Sequence, residues 1–345
     1  MKKHVIFTLL SLVLVGGSCS TTTPQDTTAT SLTIYAYDSL IAEYGLLPKI
    51  IDQFEQDNSV TVELISFPDT GSMLNQLLTE QAQPQTDVVM GLDNTNLPTV
   101  IANNLLSPYT PQRANDIPAD LRFDDAFTMT PFDYGYVGFV YDSEAIQFTE
   151  PISLADLATP EYRDKIILEQ PGLSSPGTQL LLWTNVALDD TKADTFWRSM
   201  ADTVLTVAPD WGTAYYTMFL SGEAPIVLSY LTSPAYHIDQ EGTHRYQAIP
   251  IKEGYVRQLE GIGVSTGNDA TELAQAFVDY VLTDTVQNAI PTTQWMFPIF
   301  GQSEQWPAAY QQIITPTEDQ VLPITPESID QLEQWIKEWN STFGV

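Results

Sequence analysis

The sequence predicts an α/β fold built around a largely parallel β-sheet. From Ser31 onward, apolar runs with the composition of strands alternate with segments of helical periodicity, as in repeated strand, helix, strand units. Polar helix starts directly follow several of these strands, and open α/β proteins bind ligands at such strand ends. The chain has 345 residues, 43% of them hydrophobic and 17% charged. That length and composition suffice for two domains of ordinary size.

Residues 1–18 have the pattern of a secretory signal peptide. Two lysines precede an apolar run over residues 5–15, and small residues follow that run. The run is too short to span a bilayer, so the segment is expected to be removed on export.

Cys19, the sole cysteine of the chain, stands directly after the small residues and resembles the lipidated cysteine of bacterial lipoproteins. Gly16 occupies the position three before it, where leucine is usual, so a soluble periplasmic protein cut nearby is the alternative. Residues 19–30 lack apolar side chains able to join a core, which predicts a tether. The expected location is periplasmic or at the cell surface, with the membrane reached only through a lipid anchor.

The chain is strongly acidic, with 44 acidic against 13 basic residues and a net charge of −31. Nucleic acid would be repelled by this charge, so it is not an expected partner. A cationic ligand is compatible with the charge but is not required by it. A solvated acidic surface accounts for most of the carboxylates, and only a few need face a ligand.

The first part of the chain is predicted to form a βαβαβ unit. Its elements alternate as strand 32–37, helix 47–57, strand 60–67, helix 72–81 and strand 87–92. Further strands are predicted at 134–141 and 226–230.

The last predicted helix begins after Thr325, where threonine, proline and glutamate form a start signal. Its apolar face recurs every three or four positions, at Ile329, Leu332, Ile336 and Trp339. This stripe is expected to pack on the surface of a lobe.

Three segments share one design, a strand end followed by a helix start with small polar residues. They are 69–72, 174–177 and 232–234, and in the third Ser233 is predicted as the N-cap with Pro234 at the first helical position. Hydroxyl caps and free backbone N–H groups suit an alcohol or a phosphate. Each segment is also compatible with an ordinary capped helix, because Ser, Thr and Asp are common caps.

Aromatic residues are placed in loops between these polar ends. Aromatic rings present electron-rich faces, and each such face can hold a cation by about 0.5 to 2 kcal/mol. Any one of these aromatics alone could equally belong to the core. The residues concerned are Tyr37, Tyr44, Trp211, Tyr230, Tyr236 and Trp295.

The segment 228–237, Leu-Ser-Tyr-Leu-Thr-Ser-Pro-Ala-Tyr-His, closely resembles the corresponding segment of the periplasmic thiamine-binding proteins of ABC importers. Four further segments resemble the same family in the same order along the chain. They are 32–39, 87–94, 131–136 and 287–298. Together the five segments span nearly the whole mature chain.

This resemblance implies a two-lobed type II periplasmic binding protein with a ligand cleft between the lobes, which closes on a hinge. The strand at 134–141 would cross from the first lobe to the second, and the chain would return near 261–265. Lobe 1 is then expected to comprise residues 31–126 and 261–345, and lobe 2 residues 127–260.

The resemblance also implies the function of a substrate-binding component, which captures thiamine or its phosphate esters for a membrane permease without a cofactor or catalysis. The ligand positions carried over from the family are Asp69, Thr70, Ser174, Ser175, Trp211, Tyr230, Leu231, Thr232 and Ser233, flanked by Tyr37, Tyr44, Tyr236 and Trp295. The family pattern has Gly where Thr70 stands and Trp where Tyr44 stands. The backbone geometry at Thr70 and the stacking area at Tyr44 therefore differ from that pattern.

Two alternatives remain at this point. Adjacent tyrosines, as at 215–216, resemble the phenolate ligands of ferric-iron-binding proteins of the same broad fold. His237, Glu241 and His244 mimic a metal spacing, but glycine and threonine at 242–243 interrupt that helix, so no metal site is expected.

The second alternative is a thiamine-degrading enzyme of similar fold. Such an enzyme attacks with a cysteine thiolate, and the sole cysteine here lies at the end of the signal peptide.

Overall fold

The computed structural model describes residues 30–301 and 303–345. The predicted signal peptide, Cys19 and residues 19–29 of the predicted tether lie outside the described residues. Within the described ranges, no helix is both long and apolar enough to cross a membrane.

Eleven strands form one mixed sheet in the described part of the chain. The strands are β1 (Ser31–Tyr37), β2 (Thr61–Phe67), β3 (Val88–Asp93), β4 (Leu106–Ser107), β5 (Thr130–Asp142), β6 (Ile166–Glu169), β7 (Thr206–Ala208), β8 (Ile226–Tyr230), β9 (Tyr246–Ala248), β10 (Arg257–Ser265) and β11 (Phe297–Pro298). Their order is β2-β1-β3-β10-β5-β8-β6-β7, with β4 on β10 and with β9 and β11 on β5.

The α-helices are α1 (Asp38–Ile41), α2 (Leu47–Asn58), α3 (Thr70–Glu80), α4 (Leu97–Ala102), α5 (Leu154–Leu157), α6 (Ser175–Ala187), α7 (Asp190–Ala201), α8 (Ser233–Tyr236), α9 (Thr271–Val281), α10 (Asp284–Gln287), α11 (Ile290–Thr293), α12 (Pro326–Asp330) and α13 (Leu332–Phe343). Two π-helical segments cover Thr213–Phe219 and His237–Glu241. Short 3₁₀ turns cover Ala114–Asp116, Ala119–Leu121, Pro160–Tyr162, Ser303–Gln305, Ala308–Gln311 and Glu318–Gln320.

The βαβαβ unit predicted for the first part of the chain is confirmed. Strand β1 pairs in parallel with β2 on one side and with β3 on the other. Helix α2 buries Leu47, Ile50, Ile51 and Phe54 because they recur on one face. The Phe54 ring meets Phe277 of α9 edge to face at 4.9 Å, which fixes both helices on this half of the sheet.

Strand β5 joins the two halves of the sheet, as the resemblance implied for the strand at 134–141. Its first part pairs with β10 and β11, and its second part pairs with β8 and β9. The thirteen residues of β5 are almost all buried, which is expected for a strand covered on both faces. The first half of the sheet comprises β1 to β4 with β10, and the second half comprises β6 to β9.

The last segment of the chain, which the sequence analysis places in lobe 1 with residues 261–345, packs on elements of the second half of the sheet. Helix α13 contacts α6 and α7, and its Trp339 meets Trp197 of α7 edge to face at 6.1 Å. The last helix is also two helices, because the chain turns at Gln331 between α12 and α13. Its start is as predicted, with Thr325 accepting a hydrogen bond from Ser328 N.

The start of α8 differs by one residue from the prediction. Thr232 is the N-cap, and Ser233 is the first helical residue. The Ser233 hydroxyl instead points back along the chain, where it bonds Ser229 Oγ at 2.8 Å and accepts from Tyr230 N at 3.3 Å. The helix begins one residue early because this serine closes the turn after β8 instead of capping the helix.

Candidate ligand-binding site

Residues from both halves of the sheet line a cavity of about 410 Å³. That volume is typical of a site for a small organic ligand. Twelve of the thirteen predicted ligand residues line the cavity, namely Tyr37, Tyr44, Asp69, Thr70, Ser174, Ser175, Trp211, Tyr230, Thr232, Ser233, Tyr236 and Trp295. The structure therefore brings together positions that are far apart in the sequence.

Leu231 is the predicted site residue that does not line the cavity. Its side chain is fully buried in the core of the second half of the sheet, close to Gly138 of β5. Its backbone N–H donates to Tyr136 O at 2.9 Å, so the residue still continues the pairing with β5. Successive side chains in an extended segment point to opposite sides, which places Tyr230 at the cavity and Leu231 in the core.

Two of the polar helix starts meet across the cavity. Asp69 caps α3 by accepting from Ser72 N at 3.1 Å, and Ser174 caps α6 by accepting from Gly177 N at 3.4 Å. The Ser175 hydroxyl then donates to Thr70 Oγ1 at 2.9 Å. These contacts join an element of the first half of the sheet to an element of the second half.

Gly71 allows this close approach. Its N–H donates to Leu173 O at 3.0 Å, and a Cβ at position 71 would lie 2.5 Å from Gly172 O. Any larger residue would therefore force α3 away from the loop that precedes α6. The adjacent Thr70, which departs from the family pattern, is accommodated because its hydroxyl donates to Gly91 O at 3.1 Å.

Trp211 is held rigidly in the wall of the cavity. Its Nε1–H donates to Ser229 Oγ at 2.8 Å, and its ring stacks on Tyr215 at 5.2 Å. Tyr216 meets the indole edge at 5.1 Å. A ring fixed in this way loses little conformational entropy when a ligand stacks on it.

Trp295 lies at another wall in a backbone conformation that side chains rarely adopt, with φ of 55°. Its ring packs edge to face on Tyr236 at 5.6 Å and stacks on Tyr310 at 6.4 Å. Strained residues of this kind cluster at functional sites.

The mouth of the cavity is flanked by Tyr44 and Tyr216, whose rings meet at 6.3 Å. These side chains are 51% and 39% exposed. Tyr44 follows α1 and Tyr216 belongs to the first π-helical segment, so the two halves of the molecule also touch at the mouth.

The cavity is acidic. Four carboxylates line it, and none of its lining residues within the described ranges is lysine or arginine; the four are Asp38, Asp69, Asp210 and Glu260. A fifth, Glu169, is buried directly behind Ser174 and accepts a hydrogen bond from that hydroxyl. The arrangement favours a ligand that carries positive charge.

A chain of hydrogen bonds connects the back of the cavity to both halves of the sheet. Tyr37 donates to Glu260 Oε2 at 2.5 Å, and Gln294 Nε2 donates to the Tyr37 hydroxyl at 3.2 Å. On the other side, Gln258 Nε2 donates to Glu260 Oε1 at 2.8 Å and also to the Tyr230 hydroxyl at 3.0 Å. Glu260 thus ties β1 to β8 through β10.

Burial disfavours the charged form of two carboxyl groups that line the cavity, Asp69 and Glu260, and of two more, Glu169 and Asp133. It raises the pKa of Asp69 to about 6, with a contribution from the nearby Asp210, and that of Glu260 to about 7. Burial also raises the pKa of Glu169 and of Asp133, the latter with repulsion from Glu260. A cation in the cavity would relieve this penalty.

Sequence reasoning missed most of the acidic residues of the cavity. Asp210 could have been predicted from the sequence, because it stands between a strand and a helix start, where aspartate is a common cap. In the structure its Oδ1 accepts from Thr213 N at 2.7 Å. Glu260 and Gln294 gave no local signal, since their roles depend on partners more than 200 positions away.

The metal alternatives acquire no support from the geometry. Tyr215 and Tyr216 both line the cavity, but the Tyr215 hydroxyl bonds His237 Nε2 at 2.9 Å. His237 Nδ1 in turn bonds Glu241 Oε2 at 2.8 Å. Among the described residues, no group of three or more His, Cys, Asp or Glu side chains is arranged to hold a metal ion.

A sheet of two halves, joined by β5 and β10 and enclosing a polar and aromatic cavity between helix starts, defines a solute-binding protein. The family model for bacterial extracellular solute-binding proteins matches residues 49–314. The thiamine-binding periplasmic protein of Brucella melitensis is 37% identical over 89% of this chain and 90% of its own length. That of Escherichia coli is 36% identical over 89% of this chain and 92% of its own.

A solved periplasmic thiamin binding protein superposes with a TM-score of 0.84 at 35% identity, covering 91% of this chain and 96% of its own. The ferric binding protein of Campylobacter jejuni superposes with a TM-score of 0.72 at 18% identity, covering 91% of this chain and 98% of its own, and shows the shared fold alone. The chain belongs to the bacterial extracellular solute-binding proteins and, within them, to the thiamine-binding periplasmic proteins. The predicted fold class and family are confirmed.

Proposed function

We propose that the protein binds thiamine, free or phosphorylated, and delivers it to an ABC permease in the cytoplasmic membrane. The observation that carries this proposal is the cavity itself, which combines fixed aromatic rings with carboxylates and has no basic lining residue among those described. Thiamine has two flat rings, one of them a thiazolium cation. Aromatic faces and carboxylates are the groups that hold such a cation.

The predicted positions that line the cavity divide the work of binding between the rings of the ligand and its polar end. Trp211, Tyr230 and Tyr236 supply flat faces for the rings of the ligand. Ser174 and Ser175, at the start of α6, face its hydroxyethyl end. Relatives that match over about nine tenths of their length are named as thiamine-binding proteins, which supports thiamine as the ligand.

Ligand capture involves closure of two lobes about β5 and β10. Lobe 1 comprises residues 31–126 with the segment that begins at 261, and lobe 2 comprises residues 127–260 together with the C-terminal helices. A direct hydrogen bond between the lobes, from Ser175 to Thr70, supports closure because it forms at the edge of the cavity.

The protein carries its ligand without changing it. Relatives at this level of identity are named as periplasmic binding proteins, which supports capture and release as the whole activity. A cysteine nucleophile of the thiaminase kind has no counterpart in the cavity, since Cys19 is the sole cysteine of the chain.

The protein acts in the periplasm and is held at the membrane by a lipid on Cys19. The small residues that precede this cysteine support the assignment. Mass spectrometry of the membrane fraction tests it, with Cys19→Ala as the control. Recovery of the unmodified chain in the soluble fraction would contradict the lipid anchor and leave the periplasmic location standing.

Isothermal titration of the purified protein with thiamine and with Fe³⁺ tests the main proposal. We expect saturable sub-micromolar binding of thiamine, no comparable binding of iron and no change in the recovered thiamine. Iron binding without thiamine binding would favour the ferric alternative. Loss of thiamine during the titration would move the protein to the enzyme class.

A further inference from the structure

We infer that His237, a residue outside the cavity, positions the indole of Trp211 for ligand stacking by way of the Tyr215 hydroxyl. The inference rests on the proposed function, in which Trp211 supplies a flat face for a ring of thiamine, and it adds a positioning residue to that function. In the sequence, Tyr215, His237 and Glu241 resemble metal ligands. In the structure, these three side chains bond one another.

The indole of Trp211 is held from two directions. Its Nε1–H donates to Ser229 Oγ at 2.8 Å, and its ring stacks on Tyr215 with the centroids 5.2 Å apart and the planes 16° apart. One hydrogen bond at the edge of the indole leaves the ring free to swing about that bond. A nearly parallel ring against its face restricts this motion, so the orientation of the indole depends on where Tyr215 lies.

The Tyr215 ring is in turn held by its hydroxyl. Tyr215 is 3% exposed, and its hydroxyl lies 2.9 Å from His237 Nε2. Burial raises the pKa of Tyr215 well above its usual range, so the hydroxyl keeps its proton and can donate it. A buried hydroxyl without an acceptor would carry a desolvation penalty. The bond to His237 therefore fixes the end of the tyrosine ring that is furthest from the backbone.

Glu241 determines which nitrogen of His237 faces the tyrosine as an acceptor. His237 Nδ1 lies 2.8 Å from Glu241 Oε2. A carboxylate can only accept, so Nδ1 of the neutral imidazole carries the proton and Nε2 is left to accept from Tyr215. The hydrogen bonds thus link the π-helical segment that contains Tyr215 to the one that contains His237 and Glu241. π-Helical turns occur frequently at functional sites.

His237 acts on the cavity through its neighbours. Within the described ranges, neither His237 nor Glu241 lines the cavity. The imidazole also meets Tyr236 edge to face at 5.1 Å and packs on Tyr246 at 4.4 Å. Tyr236 lines the cavity, so the test must separate the hydrogen bond to Tyr215 from the packing of the imidazole ring.

His237→Gln and His237→Asn form a matched pair for this purpose. Both remove the imidazole ring and its packing. The terminal amide of glutamine reaches the position of Nε2 and can still accept from Tyr215, whereas the shorter asparagine reaches only the position of Nδ1. In titration calorimetry with thiamine, His237→Gln should therefore bind about fourfold or more tightly than His237→Asn.

The same pair in a Trp211→Ala background shows whether the effect passes through the indole. There the two variants should bind thiamine within about twofold of each other, because the group that the hydrogen bond positions is gone. A general loosening of this half of the molecule would lower the affinity of His237→Asn in both backgrounds. His244→Asn is the control, since it changes an exposed histidine outside the cavity, and it should bind thiamine as the wild-type protein does.

A smaller difference than fourfold with Trp211 present, or an undiminished difference in the Trp211→Ala background, overturns the inference. If His237→Asn does not fold, Tyr215→Phe removes the same hydrogen bond and keeps both rings. That variant should weaken thiamine binding about fourfold or more when Trp211 is present and within about twofold when it is absent. Absence of thiamine binding to the wild-type protein would overturn the proposed function and the inference with it, so the two failures are distinguishable.

Discussion

At the scale of single residues, Trp211 shows how the core prepares a binding surface. The indole is fixed by Ser229 through its Nε1 and by Tyr215 through ring stacking. The ligand therefore meets a face whose orientation is set before binding. Preorganised aromatic residues of this kind carry a large share of binding energy in many sites.

Trp211→Ala should weaken thiamine binding by roughly 2 to 4 kcal/mol, or tens to hundreds of fold, because stacking area and cation attraction are lost together. Thiamine and its monophosphate should lose affinity about equally. Titration calorimetry measures the effect. Trp335→Ala on α13, outside the cavity, is the control, and an equal loss in that variant would contradict a direct role for Trp211.

The buried Glu260 leads to a second prediction, which concerns the pH dependence of the free energy of unfolding. Burial raises its pKa from 4.5 to about 7, so the Glu260 carboxyl group binds a proton more tightly in the folded protein than in the unfolded chain. The resulting stabilisation is fully present below pH 4.5 and is lost as the pH rises through 7. The free energy of unfolding of the ligand-free protein should therefore fall over this range, with Glu260 contributing on the order of 1 to 3 kcal/mol.

Glu260→Gln should flatten this pH dependence, as measured by urea unfolding at pH 5 and pH 7.5. A residual slope of the same sign should remain, because burial also raises the pKa of Asp69, Asp93 and Asp133. A variant with the full wild-type slope would show that Glu260 does not bind the proton.

At the scale of elements, the two halves of the molecule are held together by the starts of α3 and α6. The contact requires a glycine at position 71, since a Cβ there would lie 2.5 Å from Gly172 O. The geometry of one helix start thus determines how far the cavity can close.

Gly71→Ala should weaken thiamine binding at least tenfold, because the added methyl group keeps α3 from reaching the loop before α6. Asn75→Ala is the control, because it changes an exposed side chain of α3 outside the cavity. Calorimetry on both variants measures the difference. Unchanged affinity in Gly71→Ala would mean that the contact between α3 and α6 does not accompany binding.

The elements also show what local sequence could and could not determine. The strand predicted over 32–37 is observed over Ser31–Tyr37, because most of its side chains are apolar and buried. The apolar stripe of the last helix predicted that it packs, but a stripe does not specify its partner. Its packing on α6 and α7 depends on contacts such as that of Trp339 with Trp197.

Site residues could be predicted where family motifs indicate them. They could not be predicted where their role depends on pairing with residues distant in the sequence. Asp69 and Ser174 stand at helix starts that the sequence marks with small polar residues. The hydrogen bond from Tyr37 to Glu260 joins residues 223 positions apart, and no local sequence pattern indicates it. Leu231 lies in the core, on the opposite side of its extended segment from Tyr230. A motif match alone does not distinguish these two sides.

At the scale of the whole molecule, the two halves touch at the helix starts and at the cavity mouth. We expect the ligand-free protein in solution to open about β5 and β10 and to close when thiamine binds. Small-angle scattering should show a smaller radius of gyration with saturating thiamine than without it. Identical profiles in both states would contradict hinge closure.

The most direct measurement is a crystal structure of the protein grown with saturating thiamine. Our account predicts the ligand between the two halves of the sheet, with one of its rings against Trp211 and its cationic ring within reach of the carboxylates of the cavity. An ordered thiamine molecule bound elsewhere, with only water between Trp211 and Asp69, would contradict the account.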